Sequence, residues 1–174
     1  MNRTVKVTHI AMLITFAAVI HFVEFMFPLP IPVPGAKLGL ANVITLLTLL
    51  VYGTKAGLLV AGGRSLLGSF FTGSFLGFGF WLSFSAALVS CLVMALFLPL
   101  TRKQYVTPVA VSVIGAVTHN LIQLLVAIVI MQNPVLFQGY FPILTLVAIP
   151  TGIITGLAAL YLEGTVRRNL GAAW

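Results

Sequence analysis

Few side chains in this sequence can do polar chemistry, and their spacing is informative. Arg64 stands in AGGRSLLGS, residues 61 to 69, with apolar or small neighbours on both sides. A guanidinium inside an apolar helix costs several kcal/mol unless it is paired or reaches water, so it needs a structural partner or a ligand. Its planar fork suits a carboxylate or phosphate, because it can bind both oxygens. In THNLIQ, His119 and Gln123 are four apart and share a helical face, with Asn120 beside them. His21 and Glu24 are three apart and share a face too, while Lys37 and Asn42 lie at the start of the following apolar run. The set reads as a pocket for a small anion, with Arg64 and Lys37 recognising its charge and His119, Asn120 and Gln123 orienting it. The competing assignment is purely structural. Arg64 and Glu24 would then form a buried ion pair, and the amides would be interhelical glue worth about 0.6 kcal/mol per contact.

Catalytic chemistry fits poorly. The chain has no aspartate, and its two acidic residues are Glu24 and Glu163, so an aspartate-rich magnesium site of the kind used in prenyl transfer cannot be built. No GxxxxGK[ST] phosphate loop occurs, and His119 lacks a histidine at zinc-ligand spacing. We expect no enzyme activity and no cofactor. The formal charge of +7 does not indicate nucleic-acid binding, since the basic residues sit at the ends of apolar runs without interleaved aromatics. Cys91 has no second thiol to pair with and reads as core filler.

Those side chains must be positioned by membrane-spanning helices. Of the 174 residues, 60% are hydrophobic and 6% charged, and mean hydropathy is +1.17, far above that of soluble domains. Pro, Gly and basic residues divide the chain into six apolar segments, at about 10–27, 38–52, 56–72, 80–98, 106–131 and 141–162. They form one integral domain, and in lipid they must be helices so that every backbone polar group is satisfied. The basic start resembles a secretory signal, but His21 and Glu24 in its continuation argue for retention.

Six crossings would gather Arg3, Lys6, Lys55, Arg102, Lys103, Arg167 and Arg168 on one side. By the positive-inside rule that side is cytoplasmic, as are both termini, which places the protein in the cell membrane as a multi-pass protein. The proline-rich stretch PLPIPVPGAK, 28–37, then faces outward as a stiff, extended cap. Gly57, Ala61, Ser65 and Ser69 recur every fourth residue, a row expected to serve close helix packing. Because four residues overshoot a turn, the row cannot face one partner throughout.

The proline-rich outer loop, the run PGAKLGLANVITLL, the glycine-rich third segment and the His119–Asn120 pair resemble the small membrane family labelled Gx transporter, also labelled heptaprenyl diphosphate synthase component I. That family is similar to the substrate-binding S components of energy-coupling factor (ECF) transporters. The resemblance implies a six-helix bundle that captures its ligand from outside. It also implies association with a transmembrane coupling protein and cytoplasmic ATPases, docked through small residues of the first helix, here Ala11, Ala17 and Ala18. The synthase label implies instead an accessory subunit of prenyl diphosphate or quinone metabolism, not catalytic alone.

Overall fold

The computed structural model describes residues 3–27 and 39–169. Lys37 and the proline-rich loop lie outside the described residues. The others form six α-helices with no strand among them: α1 (Arg3–Met26), α2 (Asn42–Tyr52), α3 (Thr54–Phe71), α4 (Phe78–Arg102), α5 (Pro108–Met131) and α6 (Val135–Asn169). Four stretches, Thr4–Met26, Phe78–Arg102, Pro108–Met131 and Val135–Arg168, are long and apolar enough to cross a membrane. Large apolar side chains cover the outside; Leu96 and Leu146 are 73% and 74% exposed, a surface suited to acyl chains rather than water. The chain is a multi-pass helical membrane protein.

Several boundaries depart from the hydropathy pattern, each for a local reason. α2 starts at Asn42, not at 38, because Gly39 takes a φ of 74° and a turn forms in which Asn42 and Val43 donate to the carbonyls of Gly39 and Leu40 at 2.8 and 3.0 Å. α6 runs through Pro142 and Pro150 for 35 residues. Pro150 cannot donate to the carbonyl four residues back, and the neighbouring Thr151 does not replace that donor. Its hydroxyl instead donates to Val147 and Ala148, at 2.9 and 3.1 Å.

α2 lies at the centre and touches every other helix, whereas α3 and α5 do not touch one another. Gly53, at φ 81°, turns α2 directly into α3, and the arms of this hairpin close because Gly57 has no side chain. A Cβ there would lie 2.6 Å from Leu49 and 3.3 Å from Cys91 Sγ. Two further glycines of α3 let it close on α1: a Cβ at Gly63 would meet Ile14 of α1 at 3.0 Å, and one at Gly68 would meet His21 at 2.5 Å. Between α5 and α6 the approach is backbone to side chain gap. Cβ atoms at Gly152 and Gly156 would fall 2.6 and 2.7 Å from the Cα atoms of Val113 and Val109. Helices in lipid associate by such packing and by polar contacts, since lipid tails are as apolar as leucine. The core between them holds Leu46, Leu49, Met94 and Val111, with Cys91 fully buried as expected.

The basic ends gather at one end of the bundle. Arg167 of α6 donates to the Leu50 carbonyl of α2 at 3.4 Å, and Leu50, Arg102 and Pro108 line one cavity with it. His9 is half-buried there with Nδ1 2.9 Å from the Tyr52 hydroxyl.

Candidate functional site

Arg64 and Asn42 are each eleven residues from Gly53, so the antiparallel arms of the hairpin bring them side by side. Arg64 Nη2 donates to Asn42 Oδ1 at 2.7 Å. Arg64 lies about 15 Å along α3 from its basic end, at ~1.5 Å per residue, and it is 2% exposed. Its Nε is buried with no hydrogen-bond partner among the described residues. Glu24, 8% exposed, comes from the far end of α1 and accepts from the Leu40 backbone N–H at 2.6 Å.

Glu24 and Arg64 feel one another's charge, but they are not in ion-pair contact; among the described residues the ion pair within 4.0 Å is Arg167–Glu163, at 2.9 Å. The buried Arg64–Glu24 contact that the sequence allowed is therefore replaced by two separate bonds, to Asn42 and to the backbone before α2. His21 packs on Gly68 of α3, one turn beyond Arg64. Glu24, Asn42, Arg64 and His21 thus form one buried polar region shared by α1, α2 and α3.

The α5 residues are placed differently. Buried His119 has Nδ1 3.5 Å from Ser90 Oγ of α4, and Asn120 Nδ2 donates to the Leu144 carbonyl of α6 at 3.1 Å. His119 thus meets α4 and Asn120 meets α6. Gln123 differs: it is 4% exposed, and its Nε2 is buried without a partner among the described residues. In α4, Ser90 reaches His119, and the next residue, Cys91, lies against α3, its Sγ 3.3 Å from where a Cβ at Gly57 would stand.

One residue of this interior was not singled out from the sequence. Thr45, fully buried, leaves its hydroxyl without a partner among the described residues. It lies three positions after Asn42 and so shares a helical face with it, a signal that a pattern reading could have used. Leu40's N–H and Leu144's carbonyl are backbone groups, invisible to such reading. Of the candidate docking residues, Ala17 and Ala18 are buried inside the chain, at 0% and 1%, and only Ala11 among the three is exposed.

This is a helical membrane protein with a polar interior built around a buried arginine, and among its described residues no three His, Cys, Asp or Glu side chains gather to hold a metal. A protein-family model described as heptaprenyl diphosphate synthase component I matches residues 13–162, and the chain belongs to that family. No curated protein and no solved structure matches it.

Proposed function

We propose that the protein is a non-catalytic membrane subunit that captures a small anionic ligand within its helix bundle, in the manner of the S components that its sequence resembles. The observation that carries this reading is the set of buried donors without a hydrogen-bond partner among the described residues: the Thr45 hydroxyl, Arg64 Nε and Gln123 Nε2. A buried donor without a partner costs about 1–3 kcal/mol, more for a charged group, and an acceptor-rich ligand recovers it. In this reading Arg64 binds the anion, Asn42 fixes the guanidinium, and Lys37 and Gln123 complete the pocket. Glu24 ties α1 to the chain entering α2. His21, His119 and Asn120 hold the walls.

Six crossings with both termini in the cytoplasm place the site toward the outer half of the cell membrane, with the coupling protein and ATPases docking at the basic end and on Ala11. Native mass spectrometry of protein extracted in a mild detergent tests this directly. We expect a retained small anion, lost in Arg64→Ala; equal ligand occupancy in both, with only thermal stability reduced, would reduce Arg64 to a packing role.

The family description favours a second reading, an accessory subunit of a prenyl diphosphate synthase. As a component by description, the chain is not itself the enzyme. Co-purification with a prenyl synthase subunit, and not with ATPases, decides for it. Turnover of isoprenyl substrates by the purified chain alone would overturn both readings.

A further inference from the structure

At the opposite end of the bundle from Leu40 and Glu24, a cavity of about 570 Å³ opens between the end of α4, the start of α5 and the end of α6. Its size falls within the ~300–1,000 Å³ usual for small-molecule sites. Arg102, Gln104, Thr107 and Arg167 form a polar rim, and Leu50 and Leu98 supply an apolar floor. We propose that this cavity binds the phosphate group of an amphiphile, with the charged head on the two arginines and the first part of the chain on the leucines.

Several observations carry the assignment. The Arg102 side chain has no hydrogen bond or ion pair among the described residues, so its guanidinium is available for a bidentate phosphate contact. Arg167 is steered into the cavity wall by Glu163, whose Oε1 accepts from its Nε at 2.9 Å, while Nη2 points at the Leu50 carbonyl at 3.4 Å. Glu163 also lines the cavity and offsets one positive charge, leaving one arginine's worth in excess.

The rim is preformed: the backbone N–H groups of Lys103, Gln104 and Tyr105 bond to Pro99, Thr101 and Leu100 carbonyls at 3.2, 3.0 and 3.0 Å. The N-terminal end of α5, capped by the Thr107 hydroxyl at 3.2 Å, adds its partial positive charge to the same wall. Basic pockets between helices on the cytoplasmic side are where anionic lipid head groups bind, and the apolar floor distinguishes a site for an amphiphile from one for a free anion. The site is separate from Arg64; it rests on the proposed topology, which puts the basic end in the cytoplasm, but not on which ligand or partner the interior serves.

Phosphatidylglycerol and farnesyl diphosphate are the two probes, offered separately to the purified full-length protein and scored by native mass spectrometry and by ligand-induced thermal shift, with inorganic pyrophosphate as the chain-free control. We expect saturable binding of at least one amphiphile, weakened about tenfold or more in Arg102→Gln. The neighbouring variant Lys103→Gln, whose charge lies outside the cavity lining, should change it less than twofold. Binding of phosphatidylglycerol alone assigns the site to the bilayer; binding of farnesyl diphosphate alone assigns it to a soluble amphiphile. Pyrophosphate binding as tight as that of farnesyl diphosphate, equal losses in Arg102→Gln and Lys103→Gln, or no binding of either amphiphile overturns the proposal. Arg102 is exposed, so its variant is expected to unfold at the wild-type temperature, which the same thermal scan verifies.

Discussion

Arg64 separates stability from binding. Its guanidinium is buried and only partly hydrogen-bonded, and replacing buried charge by an apolar side chain of similar size is often neutral or stabilising. Against this, Arg64→Met strands Asn42 Oδ1, at a cost of about 1–3 kcal/mol. We therefore expect Arg64→Met to unfold within about 2 kcal/mol of wild type while losing its ligand, as read by denaturant titration in detergent and by native mass spectrometry on one preparation. Arg64→Ala, which leaves a void as well, should be less stable than Arg64→Met. A methionine variant that still held ligand would remove Arg64 from the site. Thr45→Val tests the orphan hydroxyl in the same way. Removing a buried group that has no partner among the described residues should leave stability unchanged or raise it, and ligand affinity should fall if the hydroxyl serves the ligand.

At the level of elements, glycine placement predicts which helix contacts resist change. A Cβ at Gly152 would press on the Val113 backbone at 2.6 Å, and backbone cannot rotate away as a side chain does. Gly152→Ala should therefore separate α5 from α6 and destabilise by about 1–3 kcal/mol. Gly164 of the same helix has open space where its Cβ would stand, so Gly164→Ala should be neutral or stabilise by up to about 1 kcal/mol through helix propensity. Thermal unfolding of the pair checks the contrast. The Ser112–Thr155 hydroxyl contact, 2.8 Å between α5 and α6, is a weaker tie. Thr155→Val should cost about 0.6 kcal/mol, the average for such bonds in a membrane protein.

The whole molecule turns on the short α2–α3 hairpin. With 11 and 18 residues, its arms span about 16 and 27 Å at ~1.5 Å per residue, against a hydrocarbon core of roughly 30 Å. α2 can be short because it is enclosed by the other five helices, with Asn42, Thr45 and Thr48 all buried. Such enclosure lets irregular backbone sit at membrane depth. Six crossings require the two ends of α3 to face opposite compartments. In intact cells a membrane-impermeant thiol reagent should label Ser74→Cys and leave Lys55→Cys unlabelled until the membrane is opened. Native Cys91, fully buried, should stay silent. Labelling of both positions from outside would return α2 and α3 to one face.

Composition and periodicity were enough to read a helical membrane protein, six helices and the residues worth suspecting, because lipid permits few backbone solutions and makes every interior charge conspicuous; the family was reached through a resemblance carried by particular runs such as PGAKLGLANVITLL. Partnerships across helices were not legible. The sequence allowed Arg64 to meet Glu24, His119 and Gln123 alike, and only the packing chose Asn42 for Arg64, the Leu40 N–H for Glu24 and Ser90 for His119. Those choices follow from which glycines let which helices close and from the turn at Gly53 that sets the register of α2 against α3. Both are properties of three-dimensional contact, which no spacing along one chain encodes.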